Sequence, residues 1–110
     1  MAANAKWTGV VNQEGTPGNH EFSIEVTRQD GIAVCGILRF TFPGNACAIR
    51  FKGAVNGRSV NFTTYEPLKG NPTYPAIYNG NITGESLTGK WLVPSNGQKG
   101  EFQARRKNHE

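Results

Sequence analysis

Apolar and polar residues alternate along nearly the whole of this 110-residue chain, in eight runs bounded by turn formers. No segment of useful length repeats at the 3.6-residue period of a helix. The alternating runs predict strands over Lys6–Asn12, His20–Arg28, Ile32–Phe42, Ala46–Val55, Arg58–Tyr65, Pro75–Ile82, Ser86–Val93 and Gly100–Arg106. Between them stand "QDG", "PGN", "NG", "TGE" and the longer "QEGTPGN", "EPLKGNPTYP" and "PSNGQK". Asn56-Gly57 is the strongest short-range signal, because a type I′ turn needs positive φ at both of its central residues. An internal echo supports the pattern: Gly53, Val55, Gly57, Ser59 and Val60 match Gly80, Ile82, Gly84, Ser86 and Leu87. Each unit reads as strand, tight turn, strand. Short connections make sequential strands antiparallel neighbours, and a meander of eight removes its edges by closing into a barrel. The predicted fold class is therefore all-β: one eight-stranded antiparallel up-and-down barrel over residues 1–110, with residues 1–4 and 107–110 as flexible ends.

The alternation also selects an inside. Inward positions are Trp7, Gly9 and Val11; Phe22, Ile24 and Val26; Val34, Gly36, Leu38 and Phe40; and Ile49, Phe51, Gly53 and Val55. The second half supplies Val60, Phe62 and Thr64; Tyr78, Gly80 and Ile82; Leu87, Gly89, Trp91 and Val93; and Phe102 and Ala104, with Arg106 closing the run. Gly36, Gly53, Gly80 and Gly89 fall on that inner face, where glycine weakens a strand unless the backbone must bend sharply or approach another closely. Closure of a small barrel is the reason they supply. Cys35 falls outward and Cys47 inward, out of register on neighbouring strands. A disulfide needs Cα atoms within about 7 Å and converging side chains, so two free thiols are expected, which suits a reducing compartment.

The two ends of such a barrel differ. Tight turns at Gln29–Gly31, Asn56-Gly57 and Thr83–Glu85 share one end with the termini. Longer connections share the other, where Phe22, Phe40, Thr64, Tyr78, Trp91 and Phe102 point inward. Aromatic lining with a few polar groups is what small-molecule sites usually offer, and Tyr65 and Tyr74 beside the longest loop are placed to act as a lid. Eight-stranded barrels are also only just wide enough for their own side chains to fill. The sequence thus leaves two readings, a ligand cavity or a solid core.

Composition narrows the function classes. Fourteen glycines and 18% charged residues suit a turn-rich β domain. No apolar run approaches the ~18 residues that span a bilayer, and "MAANAKW" has no signal-peptide core, so a cytoplasmic protein, or a mature form whose signal has been removed, is expected. The formal charge of +4 invites nucleic acid, but the basic residues are scattered except in the tail Arg105–Lys107, and the phenylalanines alternate away from Arg39, Arg50 and Lys52. Single-strand binders carry aromatics on an exposed basic face, so nucleic acid is not the expected partner. His20 and His109 are the only histidines. No metal-ligand spacing and no nucleophile–base pair emerges, so the expectation is no enzyme, no metal and no cofactor. Asn61-Phe62-Thr63 and Asn81-Ile82-Thr83 match the glycosylation pattern, which matters only on a eukaryotic secretory route.

"KWTG" with "NQEGT" (Asn12–Thr16), "LTGKWLVPSNG" (Leu87–Gly97) and "EFQARRKNHE" resemble the first strand and loop, the penultimate strand and the last strand of the avidin–streptavidin family of biotin-binding barrels, within the calycin group that includes lipocalins. Strand count, order and loop lengths agree along almost the whole chain. The resemblance implies that Asn12 and Thr16 hydrogen-bond a ligand's polar head, that Trp91 stacks on its body and that Tyr78 lines the pocket. The chain also departs from that family. Its Trp-to-Asn spacing is longer by two, Gly100 stands where an acidic or amide residue precedes the last strand's Phe, and "PSNGQKGEF" lacks the tryptophan lent to a neighbouring subunit. Biotin is therefore not the expected ligand. Lipocalins pack the first-strand Trp under a basic residue of the last strand, which implies a Trp7–Arg106 contact here.

The leading expectation is a non-enzymatic binder of a small apolar or aromatic molecule at the long-loop end, through Asn12, Thr16, Phe22, Phe40, Thr64, Tyr78 and Trp91. The alternative is an interaction module with a solid core. It rests on outward apolar residues of strands three and four (Cys35, Ile37, Ala48) or of strands six and seven (Ile77, Leu92), which predict a homo-oligomer.

Overall fold

The structure, a computed structural model, describes residues 5–13, 15–42, 45–70 and 74–107, and for residues 16–19, 42 and 45 the backbone alone. Eight strands form: β1 (Lys6–Gln13), β2 (Thr16–Asp30), β3 (Ala33–Phe42), β4 (Asn45–Asn56), β5 (Ser59–Lys69), β6 (Ile77–Thr83), β7 (Ser86–Val93) and β8 (Gln98–Arg106). Each pairs antiparallel with the next, and β1 pairs with β8, so the meander closes into a barrel. Among the described residues, no helix is long and apolar enough to cross a membrane.

The core follows the alternation. Trp7, Phe22, Ile24, Val26, Val34, Leu38, Ile49, Phe51, Val60, Phe62, Leu87, Trp91 and Phe102 are buried together, with Phe40, Val55 and Ile82 packed against them. Cys47 is buried, Cys35 is half-buried, and both are free. Arg106 stands opposite Trp7 in the β1–β8 register, and its guanidinium reaches the Glu85 carboxylate, 3.6 Å away.

Three connections share one geometry. Asp30 pairs with Ala33, Asn56 with Ser59 and Thr83 with Ser86. Each two-residue loop therefore begins with glycine: Gly31, Gly57 and Gly84, at φ of 62°, 63° and 62°. This moves the predicted turn at Asn56-Gly57 by one residue. Asn56 closes β4, and the central pair is Gly57-Arg58. The physical reason is that primed hairpin turns need positive φ at the first central position, and only glycine takes it freely.

Three expectations are corrected. The longer loop predicted over Gln13–Asn19 is a two-residue connection, because β2 begins at Thr16, paired with Gln13. The loop predicted from Glu66 is strand as far as Lys69. β5 runs on beyond β6: its pairing with β6 stops at Thr63↔Ile77, while its pairing with β4 continues to Ala48↔Lys69. Pro67 is tolerated there because a proline costs nothing on the side of a strand that lacks a ladder partner. Ala48, expected outward and exposed, is buried. It stands between Arg39 and Lys69 in the register, and long side chains on either flank cover so short a residue.

Candidate functional site

The long-loop end is built from rings. Phe22 meets Phe102 edge-to-face, with centroids 6.0 Å apart at 84°. Phe102 meets Tyr78 at 5.3 Å and 69°, and Tyr78 lies nearly parallel to Trp91 at 6.5 Å and 27°. All four rings are buried. Such ring pairs add about 0.5–1.5 kcal/mol each beyond area burial. Burial raises the Tyr78 hydroxyl pKa well above the usual tyrosine value, because the phenolate would lose its hydration. Phe62, the register partner of Tyr78 on β5, packs on Phe51 with centroids 4.6 Å apart.

Three of the residues assigned to this end by the sequence, Trp91, Asn12 and Thr64, already have polar groups engaged within the protein. Trp91 Nε1 donates to the Asn12 carbonyl at 2.7 Å. The Asn12 side-chain oxygen accepts from the Glu101 N–H at 2.9 Å. Thr64, 1% exposed, accepts at Oγ1 from the Ala76 N–H at 2.8 Å, and its own N–H donates to the Ala76 carbonyl at 3.0 Å. Of the seven residues the sequence assigns, the structure thus brings Phe22, Tyr78 and Trp91 into one aromatic cluster, joined by Phe102. Thr64 clasps the end of the β5–β6 connection. Phe40 is half-buried at the edge of the core. Asn12 locks β1 to β8, where the β1–β2 register slips between Val11 and Gln13. Thr16 opens β2, and its side chain, like all of His109, lies outside the described residues.

What the end presents outward was not legible from alternation alone. Along β4–β5, Phe51↔Thr64 is followed by Arg50↔Glu66, and Ile49↔Pro67 by Ala48↔Lys69. Tyr65 and Leu68 are the extra residues, and bulges of this kind re-aim side chains at barrel rims. Both are exposed, as are Tyr74 and Leu92. Half-buried Ile77 pairs with Leu92 on one side and with Thr63 on the other, so the outward apolar pair of β6 and β7 lies at the level where β5 runs on toward Tyr65 and Leu68. Charges beside it are partnered: Arg50 Nε lies 2.7 Å from the Glu66 carboxylate, and Lys52 Nζ sits 5.4 Å from the Tyr65 ring centroid. Among the described residues, no group of three or more His, Cys, Asp or Glu side chains is placed to hold a metal ion. The barrel itself is compatible with a calycin-like fold. No protein-family model matches the chain, and no curated protein matches it.

Proposed function

We propose that this protein is a non-enzymatic interaction module, a barrel with a packed interior that associates with a second copy of itself through the apolar rim of β5–β7. One observation carries the reading: among the described residues, four of the five exposed large apolar side chains, Tyr65, Leu68, Tyr74 and Leu92, lie on β5, on β7 or in the β5–β6 connection, at 41–47% exposure. Contiguous exposed apolar surface marks interaction sites, and a self-complementary patch closes into a two-fold dimer without further contacts. The Arg50–Glu66 pair and the Lys52–Tyr65 contact border the patch, which suits the polar surround of a dry centre. Light scattering at micromolar concentration tests it. The wild type is expected as a dimer, and Leu92→Asp as a monomer with an unchanged Tm; a monomeric wild type would overturn the proposal.

A small apolar or aromatic ligand at the long-loop end is the second reading. It is favoured by Phe40, which stays half-buried where its neighbours on β3 and β2, Leu38 and Phe22, are buried. Biotin's polar head would find the Asn12 oxygen and the Trp91 N–H already bonded.

A further inference from the structure

Asparagine is depleted in strands, yet β5 and β6 carry Asn61, Asn79 and Asn81, all exposed on the outer wall. The register lines them up with their neighbours. One row across β5–β8 reads Ser59, Asn81, Thr88, Gln103, and the next reads Asn61, Asn79, Lys90, Glu101. Opposed side chains on one face stand about 4.5–5.5 Å apart at Cβ, so the two rows form a continuous polar surface, amides and hydroxyls except for the opposed Lys90 and Glu101. Within the described residues, none of the Ser59, Asn61, Asn79, Asn81, Thr88 and Gln103 side chains is tied up in an intramolecular hydrogen bond.

The strands beneath them lie unusually close together. Gly80 and Gly89 are paired directly opposite. A Cβ on Gly89 would stand 2.0 Å from the Asn79 carbonyl oxygen and 2.5 Å from the Gly80 Cα, so the strands approach more closely there than any side chain allows. Two open depressions flank this point. One, about 710 Å³, reaches across Ala54, Asn61 and Asn79. The other, about 410 Å³, reaches across Thr88, Glu101 and Gln103. Asn81, Gly89 and Lys90 border both, so together they make one groove running across the strands.

We propose that this groove binds a neutral oligosaccharide. Amides and hydroxyls both donate and accept, which matches a ligand whose ring hydroxyls do the same. Charge agrees: on a chain of net charge +4, the two rows carry one cation, Lys90, opposite one anion, Glu101. A phosphate chain needs a run of cations, and an apolar ligand would strip water from amides without replacing its hydrogen bonds. An open groove crossing several strands fits a chain of sugar rings rather than a single enclosed one.

The site is separate from the rim, and its test is separate too. The labelled full-length protein is applied to an array of neutral α- and β-linked hexose oligosaccharides with a heparin oligosaccharide as the anionic control, and the best-bound glycan is titrated. At least one neutral glycan is expected to bind. Asn79→Ala combined with Asn81→Ala is expected to weaken it at least tenfold with an unchanged Tm, and Thr88→Ala combined with Gln103→Ala to act in the same direction. Leu92→Asp is expected to leave affinity unchanged, whatever its oligomeric state. Binding of heparin alone, of no glycan, or of a neutral glycan equally well by both double variants would overturn the proposal.

Discussion

Trp7 and Trp91 are both buried, at 3% and 6% exposure, but their indole nitrogens have opposite fates. Trp91 Nε1 donates to the Asn12 carbonyl, whereas Trp7 Nε1 is buried with no hydrogen-bond partner among the described residues. Tryptophan to phenylalanine removes similar volume at either site, so the difference between the two variants isolates the hydrogen bond. Trp91→Phe strands the Asn12 carbonyl and is expected to cost about 1–3 kcal/mol more than Trp7→Phe in urea unfolding; equal losses would contradict the assignment. Tyr78 gives a pH prediction. Its folded pKa is raised by burial, so the unfolded chain ionises first, from a value near 10. The stability this provides is complete below about pH 10 and falls as pH rises from there, with a slope of up to about 1.4 kcal/mol per pH unit. The urea midpoint of the wild type should fall relative to that of Tyr78→Phe between pH 9 and pH 11, and a constant difference would count against it. At this scale the inward set was legible, because alternation alone separates Phe22, Tyr78 and Trp91 from their outward neighbours. The work done by Asn12 was not, since the register slip after Val11 is a property of pairing that a single strand does not display.

Glycines divide by what surrounds them, and the division gives a contrast between elements. Gly57 opens the β4–β5 loop at φ 63° with nothing within 4 Å of where a Cβ would sit. Gly57→Ala therefore costs only left-handed backbone strain, about 1–2 kcal/mol. Gly89→Ala instead drives a Cβ into the β6 backbone and is expected to abolish the cooperative thermal transition; a folded Gly89→Ala barrel with near-native Tm would refute the account of closure. Element existence was legible for all eight strands, and tight turns placed the end they share. The far half of β5 was not. "EPLKG" carries a proline and a glycine, which read as loop, and only the partner strand β4 reveals that it is a bulged strand. The exposed apolar rim escaped for the same reason: Tyr65 and Leu68 owe their direction to bulges.

For the molecule as a whole, the question is whether the aromatic end is filled or open. Closed eight-stranded barrels lie at the size where side chains just fill the interior, so neither outcome follows from strand number. Ring contacts from Phe22 through Phe102 and Tyr78 to Trp91, with the Thr64, Trp91 and Asn12 polar groups bonded internally, favour a packed interior and recognition on the outside. The most direct measurement is a thermal-shift series on the wild type with biotin, small aromatics and fatty acids. A ligand at 100 times its Kd adds about 2.7 kcal/mol, which for a domain of this size raises Tm by roughly 10 °C or more. The packed-barrel account predicts no shift beyond about 1 °C from any of them. A rise near 10 °C from one chemical class, lost in Trp91→Ala, would contradict it and return the function to the long-loop end of the barrel.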